Sequence, residues 1–60
     1  MDSKDIIREI KADGWYIIEI NGSHHHFKHQ TKPGKVTVPH PMKDVHPKTL
    51  KSIRKQAGLV

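Results

Sequence analysis

The sequence predicts an α+β domain: a two-layer sandwich of order α-β-β-β-α, with a three-stranded antiparallel sheet and two helices on one face. Three observations carry this reading. Apolar residues recur at helical spacing near both ends of the chain, as Ile6, Ile7 and Ile10 and again as Leu50, Ile53 and Ala57. Between them, "WYIIEI" and "KVTVP" concentrate the aromatic and β-branched residues that favour strands. Asn21-Gly22 and Pro33-Gly34 break the middle into three short runs, which suits a meander covered by two helices.

The elements follow in order. Residues 4 to 12, "KDIIREIKA", form an amphipathic helix with Ser3 as N-cap and Gly14 ending it. Residues 15 to 20 form the first strand. Asn-Gly at 21 to 22 is a strong hairpin signal, because both residues tolerate positive φ, and "SHHHFKHQ" returns as the second strand. "TKPGK" is a turn, and residues 35 to 39 are a third strand ended by Pro39. After an irregular connection, Pro47 starts a helix through Ala57 that Gly58 closes. The expected core is Ile6, Ile10, Trp15, Ile17 or Ile18, Phe27, Val36, Val38, Leu50 and Ile53. The facing of "WYIIEI" is ambiguous, since Ile17 and Ile18 point to opposite sides.

Sixty residues are one domain, spanning 1–60, with no cysteine and so no disulfide or thiolate-bound zinc. The first residues have no apolar run of signal-peptide length, and a cytoplasmic protein is expected. Charge is more telling. The formal net charge is +5, and five of the six acidic residues lie in the first nineteen positions. From Gly22 onward only Asp44 is acidic, against seven lysines and Arg54. Such one-sided basicity is the signature of a polyanion-binding surface, here favoured over a merely solvated one and over a membrane-surface peptide. Lys48, Lys51 and Lys55 form one helical stripe near the start of the second helix, whose dipole also favours phosphate. Lys28, Lys32 and Lys35 cluster around the second turn. All six are candidate RNA contacts, although for any single lysine solvation is the simpler explanation.

The segment "NGSHHHFKHQ" holds three consecutive histidines inside the chain, which excludes a terminal purification tag. Strand alternation places His24, His26 and Lys28 on one face and His25, Phe27 and His29 on the other. Phe27 marks the core side, so His25 and His29 are expected at the sheet's periphery. His24 and His26 then lie ~6.6 Å apart along the strand. On the residues alone three uses of this pair stay open. One is a solvated pair without chemistry. Another is a metal site completed by His40 or His46, which nearby Lys28 and the lack of a supporting carboxylate disfavour. The third is acid–base catalysis on RNA, since imidazole titrates near neutrality and neighbouring cations would stabilise a pentacovalent phosphate.

The succession "GW" (14–15), "NGSHHHF" (21–27), "VTVPHP" (36–41) and "TLKSIRKQAGL" (49–59) resembles the HicA family of mRNA interferase toxins over nearly the whole chain. The resemblance implies a fold like a double-stranded RNA-binding domain, with the order already read from the residues. It implies an endoribonuclease toxin of a type II toxin–antitoxin pair, with RNA as substrate and a HicB-type antitoxin covering the active site. No cofactor is called for. The Gly-Ser-His motif places the catalytic histidine at His24. The resemblance assigns no role to His25 or His26. His26 and Lys28 as helpers, and Gly22 and Ser23 as the rigid support of His24, are inferences from local chemistry. Two other functions compete: a non-catalytic RNA-binding module of the same fold, and a component of a repressing complex that reaches DNA only through its antitoxin.

Overall fold

A computed structural model of the protein describes residues 1–59. The elements are α1 (Ser3–Ala12), β1 (Tyr16–Asn21), β2 (His24–Lys28), β3 (Val36–Pro39) and α2 (Pro47–Gln56), the expected α-β-β-β-α order. The three strands form an antiparallel meander, β1-β2-β3. Among the described residues no helix is long and apolar enough to cross a membrane.

The helix ends show how the chain sets these boundaries. Asp2, not Ser3, caps α1, its carboxylate accepting the Lys4 N–H at 2.8 Å. An acid at this place also meets the positive end of the helix dipole. Ser3 is instead a fully buried helical residue. At the other end the Gly14 N–H reaches Lys11 O (3.0 Å) and the Trp15 N–H reaches Ile10 O (3.1 Å). This double closure satisfies two orphan carbonyls and needs a positive φ, which Gly14 supplies at +108°. It also brings Trp15 into the core directly after the helix. The last turn of α2 closes in the same pattern, with Leu59 N–H on Arg54 O at 2.9 Å. Pro47 opens α2 behind His46, whose ring Nδ1 accepts the Lys48 N–H.

Ile6 and Ile10 of α1, Ile53 and Ala57 at α2, Trp15, Phe27, Val36, Val38 and Val45 form one buried core. Both helices therefore cover the Phe27–Val36–Val38 face of the sheet. Leu50, expected inside, is only partly buried at the margin with Ile7 and Leu59. Neither Ile17 nor Ile18 enters the core: they are 40% and 46% exposed. The helices pack across β3 and leave β1 as an uncovered edge. A β-bulge at Ile18 then shifts the pairing, so that Ile17 stands opposite Phe27 but Glu19 stands opposite His26. Ile20 thereby rejoins the helix side and Glu19 leaves it, reversing the facing that strict alternation predicts for the second half of β1.

One end of the molecule is tied by polar contacts. The Ala57 carbonyl accepts from Trp15 Nε1 at 3.3 Å and from Lys32 Nζ at 3.1 Å. Lys32 also pairs with Asp13, and this hydrogen bond holds the Asp13 carboxyl below its ordinary 3.8. His29 is no peripheral strand residue. Its Nδ1 accepts the backbone N–H groups of Thr31 and Lys32, each at 3.1 Å, so Nε2 carries the proton and donates to Asp13 O at 2.7 Å. Its ring stands edge-on to Trp15 with centroids 5.3 Å apart. These bonds turn the chain inward at His29, which is why β2 stops at Lys28 and not near Gln30. Arg54 joins the two helices through a two-point contact with Glu9.

The backbone geometry separates two glycines. At Gly14 an added Cβ would sit 2.7 Å from His29 Nε2, whereas at Gly22 (φ +61°) it would meet nothing within 4 Å. Gly22→Ala should therefore cost only the left-handed penalty, about 1–2 kcal/mol. Gly14→Ala should cost distinctly more, because the same penalty is joined by displacement of the His29 ring. Urea unfolding of the two variants measures the difference, and equal losses would contradict the packing described around His29.

Candidate active site

The β1–β2 hairpin turns one residue later than the Asn-Gly signal suggests. Asn21 pairs with His24, leaving Gly22 and Ser23 as the two-residue loop. Of these two, Gly22 has a positive φ and Ser23 does not. That is the pattern of the hairpin turn that wants glycine first, in place of one with two left-handed residues. Ser23 steadies the turn through its main chain, its carbonyl accepting the His40 N–H at 2.7 Å.

Cross-strand pairing decides what surrounds His24. Residues paired across the sheet share a face, so His24 lies with Asn21 and Pro39, His26 with Glu19 and Thr37, and Lys28 with Tyr16. All belong to the face that no helix covers. His24 is exposed, and its ring centroid is 6.4 Å from that of His26. His26 is half-buried and anchored, Nδ1 lying 2.8 Å from Thr37 Oγ1. That bond occupies one nitrogen and leaves Nε2 as the ring's reactive edge. His25 points the other way. Its ring packs edge-on against His40, 4.9 Å between centroids, on the helix side. His24, His26 and Lys28 therefore share the uncovered face, a surface that an extended polymer could cross.

The six lysines singled out from the sequence do not converge. Lys28 shares the open face with His24, and Lys35 is exposed in the turn before β3. Lys48, Lys51 and Lys55 are exposed on α2, in the layer behind the sheet. Lys32 is engaged with Asp13 and Ala57, so its ammonium serves the fold. Among the described residues it is the one lysine in an ion pair, whereas Asp5, Glu9, Asp13 and Asp44 are all paired within the molecule. The remaining positive charge is thus left uncompensated at the surface. Glu19 is a residue near the site that the sequence left without a defined face. Only the bulge at Ile18 brings it opposite His26, and nothing in "WYIIEI" signals a bulge.

The family model described as "HicA toxin of bacterial toxin-antitoxin" matches residues 3–59. The chain belongs to the HicA toxin family. A solved structure described as "Toxin-Antitoxin complex from Streptococcus pneumoniae" is similar to it with a TM-score of 0.80 and 30% sequence identity, covering 98% of each chain. Among curated proteins no match is found. The HicA match spans every element of the fold, and the Gly-Ser-His segment lies at the hairpin tip within it.

His25 offers a check on the two-faced arrangement of the triplet. Partial burial, then the proximity of His40 and His26, hold its imidazole below the ordinary 6.5. A base whose folded value is lowered takes up its proton first in the unfolded chain as pH falls. Its contribution to stability is full above about pH 6.5 and is lost as pH drops through the folded value. His25→Phe should therefore lose less stability than the wild type between about pH 7.5 and about pH 5 in urea titrations. Equal losses would place His25 on the solvent side with its neighbours.

Proposed function

We propose that this HicA toxin is an endoribonuclease, an mRNA interferase that cleaves RNA by histidine-dependent general acid–base catalysis and needs no metal. The observation that carries the reading is the pair of imidazoles on the uncovered sheet face, His24 next to the hairpin turn and His26 held by Thr37. His24 takes the proton of a ribose 2′-hydroxyl as that oxygen attacks the adjacent phosphorus. The P–O5′ bond breaks, and the leaving 5′-oxygen receives a proton from the second group, for which His26 is the nearest positioned imidazole. The products are a 2′,3′-cyclic phosphate and a 5′-hydroxyl. Lys28, on the same face, would stabilise charge on the phosphorane.

Lys35, Lys48, Lys51 and Lys55 would hold the RNA backbone through phosphate contacts without reading its sequence. Lys32 belongs to this set only if RNA can draw it from Asp13. A protein antitoxin of HicB type would neutralise the toxin by covering the open face. The solved relative's description as a toxin–antitoxin complex supports a protein partner of this kind. Any contact with DNA would come through that partner. The cell compartment consistent with an mRNA substrate is the cytoplasm.

Purified protein and a labelled RNA test the reading. His24→Ala should lose cleavage by at least ~100-fold, His26→Ala should lose less, and chelation with EDTA should leave the wild-type rate unchanged. Cleavage and binding should weaken steeply with salt. A His24→Ala protein that binds RNA like the wild type, where the wild type also fails to cut, would instead favour a non-catalytic RNA-binding module.

A further inference from the structure

We infer that His40, anchored by the buried Ser3 hydroxyl, is a positioning residue for His24, an inference that rests on the proposed catalytic role of His24. The two residues flanking His24 are both held by His40, and by different means. The His40 main-chain N–H donates to the Ser23 carbonyl at 2.7 Å, and the His40 ring packs edge-on against the His25 ring at 4.9 Å. His24 itself pairs with Pro39, the residue before His40. One short segment therefore contacts the residue before His24, the residue after it and His24 itself across the sheet.

That segment is in turn tied to α1. Ser3 is fully buried, and its N–H donates to Met42 O at 2.8 Å. Its hydroxyl oxygen accepts the Met42 N–H at 2.9 Å, which leaves the hydroxyl proton for His40 Nδ1, 2.7 Å away. A buried hydroxyl has no water to turn to, so this bond sets both the tautomer and the orientation of the imidazole. The arrangement answers a need created by the fold. The hairpin tip projects at one end of the sheet, where β1 is an edge strand and the third strand gives β2 its second partner. A general base displaced by about 1 Å can lose two orders of magnitude in rate. Ser3 and His40 connect the tip to the start of α1, which the core holds through Ile6 and Ile10.

The test compares His40→Ala with His40→Asn, whose amide oxygen can still accept from Ser3. Two readouts are used: steady-state RNA cleavage, and the ring signals of His24 in heteronuclear NMR of the same proteins. His40→Ala should lower kcat about 10-fold or more with little change in KM, should shift and broaden the His24 ring signals, and should still melt well above the assay temperature. His40→Asn should recover most of kcat and sharpen those signals. An unchanged kcat in His40→Ala, a loss confined to KM, or an asparagine variant no better than alanine would overturn the proposal. If the wild type cuts no RNA, the catalytic reading fails and the NMR comparison still decides the positioning. Undisturbed His24 signals in His40→Ala would then overturn it.

Discussion

The carbonyl oxygen of Ala57 receives the indole N–H of Trp15 and the ammonium of Lys32, and most of the architecture depends on that junction. A chain of this size has little core to spare, and without cysteine it cannot add a disulfide. Here the ends of both helices, the exit of β2 and the β2–β3 loop meet at one place. Asp13 and Lys32 neutralise each other there, and His29 satisfies the backbone groups exposed where the strand turns in. Acid should loosen this junction: the Asp13 carboxylate is stabilised by Lys32, so its contribution is present above its ordinary 3.8 and is lost as pH falls below that.

Both helices pack on one side of the sheet, which leaves its other face uncovered. Strands β2 and β3 bury one side beneath the helices and present the other to solvent, so a single five-residue strand supplies a core phenylalanine and two surface imidazoles. Charge follows the same division. Four of the acidic side chains are consumed by internal pairs, while Lys28 and Lys35 stay unpaired near the sheet and Lys48, Lys51 and Lys55 along α2, among the described residues. A phosphate polymer lying on the open face would meet His24, His26 and Lys28 together. The α2 lysines would meet it only if it wrapped around an edge.

Features written in local chemistry were legible in the sequence, and features created by pairing were not. Helical periodicity, the glycines after each helix and Pro47 located α1 and α2, and Phe27 alone fixed which side of β2 is buried. The split of His24 and His26 from His25 followed from alternation and holds. The bulge at Ile18 has no such signal, so the facing of Glu19 and Ile20 was inaccessible. The exposure of Ile17 and Ile18 depends on how far the helices reach, a tertiary fact. Ser3 looked like a cap because serine often is one, but the aspartate before it takes that place and releases Ser3 for burial against His40. His29 and Lys32 looked like a peripheral histidine and a nucleic-acid contact. Their partners, Asp13 and Ala57, are distant in sequence, and only the closed fold brings them together.

The proposed chemistry makes the ribose 2′-oxygen the nucleophile, and that is its most exposed commitment. A substrate RNA carrying a single 2′-deoxyribose on the 5′ side of the mapped cut should resist cleavage at that bond while binding normally, and the unmodified RNA should yield a 2′,3′-cyclic phosphate. Cleavage of the deoxy-substituted bond at the ordinary rate, or a 5′-phosphate at the new end, would contradict attack through the 2′-oxygen and with it the role assigned to His24.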